Sequence, residues 1–182
     1  IYLCFMKSYG FLLVMSIVLS GFSCSGGKMN TPLLVGTFNK GSDNGLFLYD
    51  FNLKEGSVKP VAGSDAGINP AFFCFSGKGD LIYTINEVGT YNGIDKSGGL
   101  TTLKYDRNSG QIQKLSDMAV PNGGPCHISI SADNGFLFIA NYDGGSVAVI
   151  TLDEGGIPEK ISDTIFYEKE GKGRFGYDRR DN

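Results

Sequence analysis

Asn69-Pro70-Ala71-Phe72-Phe73, running on to Tyr83-Thr84-Ile85-Asn86, is matched 55 residues later by Gly124-Pro125-Cys126-His127-Ile128 and Phe138-Ile139-Ala140-Asn141. Pro70 falls on Pro125, Ser76 on Ser131 and Asn86 on Asn141. A second overlay, at 54 residues, places Gly45-Leu46 on Gly99-Leu100, Phe51 on Tyr105, Gly56 on Gly110 and Val58 on Ile112. Repeats of roughly 40–50 residues made of short alternating strands mark β-propeller blades, each of which buries its faces on its neighbours. The fold class is therefore all-β: a β-propeller of four-stranded antiparallel blades. About two and a half to three blades are present.

Working outward from that register, the first unit holds strands at 33–38, 45–51 and 57–61. The second runs through 71–75, 81–86, 100–105 and 111–115. The third takes 127–130, 136–141, 146–152 and a weaker segment at 161–166. Turn chemistry agrees: Ser76-Gly77-Lys78-Gly79-Asp80 and Ala132-Asp133-Asn134-Gly135 fall at the same place in successive units, and Asp143-Gly144-Gly145 is a hairpin signal. Unit two carries an insertion, 88–98, where unit three has only this short turn. In propellers such loops line a face of the disc.

Composition supports the same class. The chain has 182 residues with 27 Gly, 13 Phe, 9 Tyr and no Trp, which suits short strands joined by tight turns. Its formal net charge is −3, with the charges scattered and no basic stripe, so nucleic acid is not an expected partner. No Ser-centred nucleophile elbow and no Cys/His metal cluster occurs, and no cofactor is expected. Gly171-Lys172-Gly173-Arg174-Phe175-Gly176 fits G-x-G-x-x-G, but the chain leaves no room after it for the rest of a βαβ unit.

Residues 1–30 read as a signal segment and linker outside the fold. Met6-Lys7, then the apolar run from Phe11 to Leu19, then small residues before Cys24, resemble a lipoprotein signal with Cys24 as the lipidated anchor. An ordinary cleaved signal with an incidental Cys is the other reading. Either way the protein is expected to be exported, to the periplasm or cell envelope, with membrane contact only through that lipid anchor. Ile1 to Phe5 precede the Met and read as upstream sequence. Cys74 and Cys126 lie in apolar strand patterns, where a buried free thiol is expected over a disulfide. Residues 31–173 form the blades, and 174–182 are a charged tail without strand alternation. The chain therefore reads as the N-terminal part of a larger propeller. An unpaired blade edge predicts self-association.

Two residues stand out chemically. His127, the one histidine, opens a strand in which His127, Ser129 and Ser131 share a face. A neutral imidazole there suits a general base, and a histidine hydrogen-bonded between blades is the structural alternative. Its counterpart in unit two is Phe72. Glu87 directly follows Asn86 at a strand end, as Tyr142 follows Asn141, and either assists a base, binds substrate hydroxyls or is a solvated turn residue. Asn86 and Asn141 recur with the repeat and are candidates for substrate binding, alongside a purely structural role in the turn.

Taken together, these pieces resemble the bacterial lactonase family of seven-bladed propellers, which includes propeller-type 6-phosphogluconolactonase. The resembling residues are Leu34-Val35-Gly36-Thr37-Phe38, Gly45 to Phe51, Asn69-Pro70, Leu81 to Glu87, Gly124-Pro125-Cys126-His127-Ile128-Ser129 and Phe136 to Tyr142. The resemblance implies hydrolysis of a sugar lactone, or the related cyclisation of a carboxymuconate, with no metal or redox cofactor. It favours His127 as the catalytic base with Glu87 assisting. Substrates expected from it are 6-phospho-glucono-1,5-lactone or, for an exported protein, an unphosphorylated aldonolactone. From Arg174 the chain departs from the family pattern, and the later Arg and Glu residues that the family places around the channel have no counterpart, which puts this chain's own activity in question. A non-catalytic exported binding propeller is the alternative.

Overall fold

The structure is a computed structural model that describes residues 2–5, 31–39 and 44–167. Its strands are β1 Tyr2–Phe5, β2 Thr31–Gly36, β3 Leu46–Asn52, β4 Ser57–Ser64, β5 Phe73–Phe75, β6 Leu81–Asn86, β7 Thr90–Tyr91, β8 Ile94–Asp95, β9 Ser97–Tyr105, β10 Ile112–Pro121, β11 Pro125–Ile130, β12 Phe136–Asn141, β13 Ser146–Leu152 and β14 Pro158–Phe166. They form three four-stranded antiparallel sheets, β1-β2-β3-β4, β5-β6-β9-β10 and β11-β12-β13-β14, with β7 and β8 as a small separate hairpin. These are three consecutive blades, named one to three below.

The sequence register holds for the inner strands and shifts at the outer ones. β10 extends to Pro121, beyond the expected 115, because a bulge between Lys114 and Ser116 lets the ladder continue along β9. The insertion at 88–98 contains the β7–β8 hairpin. Tyr2–Phe5 is set outside the fold by the sequence reading, yet it pairs antiparallel with β2 from Gly36 to Leu33. There it supplies the inner strand of blade one and satisfies backbone groups that would otherwise form a bare edge. Residues 6–30, including Cys24, and 168–182 lie outside the described residues. Cys74 and Cys126 are not joined in a disulfide and are half-buried rather than buried.

The blades are joined by two apolar cores. Leu34, Leu46 and Leu48 of blade one meet Phe73, Ile82, Leu103 and Tyr105 of blade two. On the other side Tyr83, Ile85 and Leu100 of blade two meet Ile128, Leu137, Ile139 and Ile150 of blade three. Blade two is thus covered on both faces, and every residue of β6 is buried.

The repeated turns show why the motif recurs. Ser76 Oγ accepts hydrogen bonds from the amides of Gly79 and Leu81, both at 3.1 Å. Ser131 Oγ does the same for Gly135 at 3.1 Å and Phe136 at 2.9 Å. The equivalent positions Gly79 and Asn134 both carry positive φ, 69° and 60°, which explains a Gly in one turn and an Asn in the other. The repeated prolines press on glycines of the blade before them. A Cβ on Gly36 would strike the Pro70 carbonyl, and one on Gly98 would strike the Pro125 ring.

Candidate functional site

β6 and β12 end, and β11 begins, on one side of the blades, and the candidate residues gather there. The connecting backbones are tied in series. The Gly124 amide donates to the Val88 carbonyl at 2.9 Å, and the Tyr142 amide donates to the Gly124 carbonyl at 2.7 Å. Asn69, at φ 47°, is the hub between blades one and two. Its amide donates to Asn39 Oδ1 at 2.6 Å, and its Oδ1 accepts from the Asn39 amide at 3.0 Å. Its Nδ2 donates to the Glu87 carbonyl at 3.1 Å, and its own carbonyl accepts from the Glu87 amide at the same distance. The repeat marks Asn69 only as the residue before Pro70; its bridging role needs the packing of two blades.

His127 follows a bulge at Cys126 in β11 and is exposed. Its ring packs against Phe72, its own repeat counterpart, with centroids 4.6 Å apart and planes inclined by 40°. Ser129 shares its face, since His127 pairs with Ala140 and Ser129 with Phe138. Among the described residues no side chain hydrogen-bonds its ring nitrogens, so the aromatic contact sets its orientation and a nitrogen remains accessible.

Glu87 lies half-buried at the end of β6. Burial raises its carboxyl above the ordinary 4.5, and the nearby Asp143 carboxylate raises it further. Asp143 itself is held over glycine backbone, where a Cβ on Gly124 would meet its carboxylate at 2.7 Å and one on Gly123 would lie 3.5 Å from it. The sequence reading takes Asp143 only as part of a turn. Its effect on Glu87 depends on the crossing between blades, which no local motif encodes.

The two asparagines lie inside the blades. Asn86 is fully buried; its Nδ2 donates to the carbonyls of Ala66 at 2.7 Å and Ile68 at 3.0 Å, and its Oδ1 accepts from Thr101 Oγ1 at 2.8 Å. Its Nδ2 anchors the 66–68 loop, and its Oδ1 ties the strand end to β9. Asn141 is 3% exposed; its Nδ2 donates to Ser146 Oγ at 3.2 Å, while its Oδ1 has no partner. The structure brings Glu87, Asp143 and the 122–124 linker together, and sets His127 on the inner strand with Phe72.

Residues 32–179 match the family described as Lactonase, 7-bladed beta-propeller. The chain belongs to the lactonase family of seven-bladed β-propellers. With the curated 6-phosphogluconolactonase of Bacillus subtilis this lactonase-family chain shares 28% identity over 123 residues, 67% of its own length and 33% of the relative's. The solved periplasmic gluconolactonase of Pseudomonas aeruginosa is 32% identical with a TM-score of 0.63, over 74% of this chain and 38% of that one. A crystal structure from Bacteroides fragilis matches at TM-score 0.70 and 23% identity, over 84% of this chain and 40% of that one, a likeness of fold. The chain thus spans between a third and two-fifths of the length of these relatives.

Proposed function

We propose that this chain carries the base and an acid of a lactone-hydrolysing site. The observation that supports the proposal is the exposed His127 ring stacked on Phe72, and beside it stands a Glu87 carboxyl at the end of β6 whose proton affinity is raised. His127 takes a proton from water as the oxygen bonds to the lactone carbonyl carbon, giving a tetrahedral oxyanion. Collapse of that oxyanion restores the carbonyl and breaks the ring C–O bond. Glu87 then gives its proton to the departing alkoxide. The product is the open hydroxy acid, and the proton on His127 returns to Glu87 through solvent. Asn86 and Asn141 position the strand ends from within the blades.

The substrate we assign is an unphosphorylated aldonolactone. Asp143 sets a carboxylate beside Glu87, a poor setting for a phosphate dianion. The likeness to a periplasmic gluconolactonase and the signal-like segment ending at Cys24 support a site outside the cytoplasm. The test is a pH-stat assay of the 182-residue chain with glucono-1,5-lactone and with its 6-phosphate, each corrected for spontaneous hydrolysis. His127→Ala is expected to lower turnover about 10²–10⁴-fold. Equal turnover by wild type and His127→Ala refutes the assignment of the base. Binding without turnover replaces it with a non-catalytic propeller, and preference for the phosphate ester overturns the substrate class.

A further inference from the structure

Asparagine followed by glycine occurs four times in the chain, at Asn44-Gly45, Asn92-Gly93, Asn122-Gly123 and Asn134-Gly135. The pair is reactive because the amide nitrogen of an unbranched glycine can reach the carboxamide carbon of the asparagine before it. The fold holds three of the four against that reaction. The Gly135 amide donates to Ser131 Oγ and to Asp133 Oδ1, both at 3.1 Å, and Asn134 Oδ1 accepts from the Gly77 amide at 2.6 Å. Gly45 is buried, and its amide donates to the Ser64 carbonyl at 3.2 Å. Gly123 is buried too, and Nδ2 of Asn122 is closed off from water.

Asn92-Gly93 differs in each respect. It is the two-residue loop of the β7–β8 hairpin, with φ of 49° and 79°, the signs that a type I′ turn requires, and both residues are exposed. A Cβ on Gly93 would meet nothing within 4 Å, and among the described residues no acceptor takes its amide hydrogen. The Asn92 carboxamide makes one long contact, Nδ2 donating to Asp117 Oδ1 at 3.4 Å. The hairpin that must yield is two pairs long, Thr90 with Asp95 and Tyr91 with Ile94, so it opens locally far more readily than the β11–β12 ladder that carries Asn134. Blade two has both of its neighbours in place, and Tyr91 seats the hairpin on Gly99 of the same blade. The exposure of the tip therefore does not turn on further blades.

We propose that Asn92-Gly93 is a spontaneous modification site, at which water converts the asparagine to aspartate and isoaspartate. The Gly93 nitrogen gives its proton to a solvent base and bonds to Cγ of Asn92. The Cγ–Nδ2 bond breaks, and the departing nitrogen takes a proton and leaves as ammonia. Water then opens the cyclic imide at either carbonyl. Breaking the new bond at Cγ gives aspartate. Breaking the original peptide bond gives isoaspartate, with the main chain routed through the former side chain and lengthened by a methylene. Either product makes the formal net charge one unit more negative than −3 and removes the amide that donates to Asp117, whose other oxygen holds Lys114 Nζ at 2.5 Å. In the isoaspartate the lengthened loop no longer fits the pairing of Tyr91 with Ile94.

Peptide mapping of the folded 182-residue chain, held in mildly alkaline heavy-oxygen water, tests this. The peptide holding residues 92–93 is expected to take up label and split into two acidic isomers. It should do so at least about tenfold faster than the peptides holding 44–45, 122–123 or 134–135, where attack must first break a hydrogen bond or open a buried turn. In urea, with the fold lost, the four pairs are expected to react at like rates. On ion exchange of the whole folded chain, the acidic species that grows with time in wild type is expected to be lost in Asn92→Gln, which keeps an amide but moves its carbon out of reach of the Gly93 nitrogen. The absence of label at 92–93 in the folded chain overturns the proposal. So does the same order of rates in native buffer and in urea, or an acidic species undiminished in Asn92→Gln.

Discussion

Asn86 and Asn141 hold the same repeat position but should differ sharply in what they contribute to stability. Replacing Asn86 by Ala removes the donor to the Ala66 and Ile68 carbonyls and the acceptor for the Thr101 hydroxyl. Ala66 and Thr101 are both 0% exposed, so water does not replace the lost partner. Each buried group left unpaired costs about 1–3 kcal/mol, so Asn86→Ala should destabilise by about 3–5 kcal/mol. At Asn141 the same change breaks one bond of 3.2 Å to Ser146 and also deletes an oxygen that has no partner. The two effects offset, and the expected loss is about 0–1 kcal/mol. Urea unfolding followed by circular dichroism should show a far lower midpoint for Asn86→Ala at unchanged slope, the two variants separated by roughly 1–3 M. Asn86→Asp keeps the acceptor for Thr101 and loses both donors, so it should remain severely destabilised. Equal losses at the two positions, or a loss of under about 1 kcal/mol at Asn86, would refute the idea that burial and saturated hydrogen bonding set the difference.

Glu87 binds its proton more tightly in the native chain than at its ordinary 4.5, because of burial first and Asp143 second. Wild-type stability should therefore fall as pH rises through that window, with the penalty constant above it. Glu87→Gln should raise the melting temperature at pH 7 relative to wild type and give no gain at pH 4; a gain of the same size at both pH values contradicts the assignment. Gly98→Ala drives a methyl into the Pro125 ring and within 3.1 Å of the Asn86 carbonyl, and should cost about 1–3 kcal/mol. Gly89→Ala meets only Asp143 Oδ2 at 3.9 Å, and chemical denaturation should find it nearly neutral beside Gly98→Ala. Labelled palmitate fed to an expressing bacterium should enter the wild-type protein and not Cys24→Ser; labelling of both would remove Cys24 as the anchor.

The repeat made the blade architecture readable because strand spacing and turn chemistry are local. Ser76 and Ser131, or Gly79 and Asn134, do the same work within one turn whatever surrounds them. Features made by contact between blades were not readable. The equivalence of Asn86 and Asn141 is true of position, but Thr101 stands beside one while the corresponding strand position beside the other is Ala148. Phe72 and His127 are counterparts in the repeat, yet nothing in their spacing says that they touch. β10 outran its expected end because a bulge absorbed the register change. Asp143 looked like turn chemistry alone, since the charge it acts on lies in another blade.

The complete burial of β6 also sets a hierarchy of motion. Its amides, enclosed by sheet neighbours along both edges and by a core on either face, should exchange with solvent only when the whole array opens. The exposed strands β4 and β14 should exchange through local fraying. Deuterium would then enter from the rims inward, and β6 would be the last segment to remember the folded state.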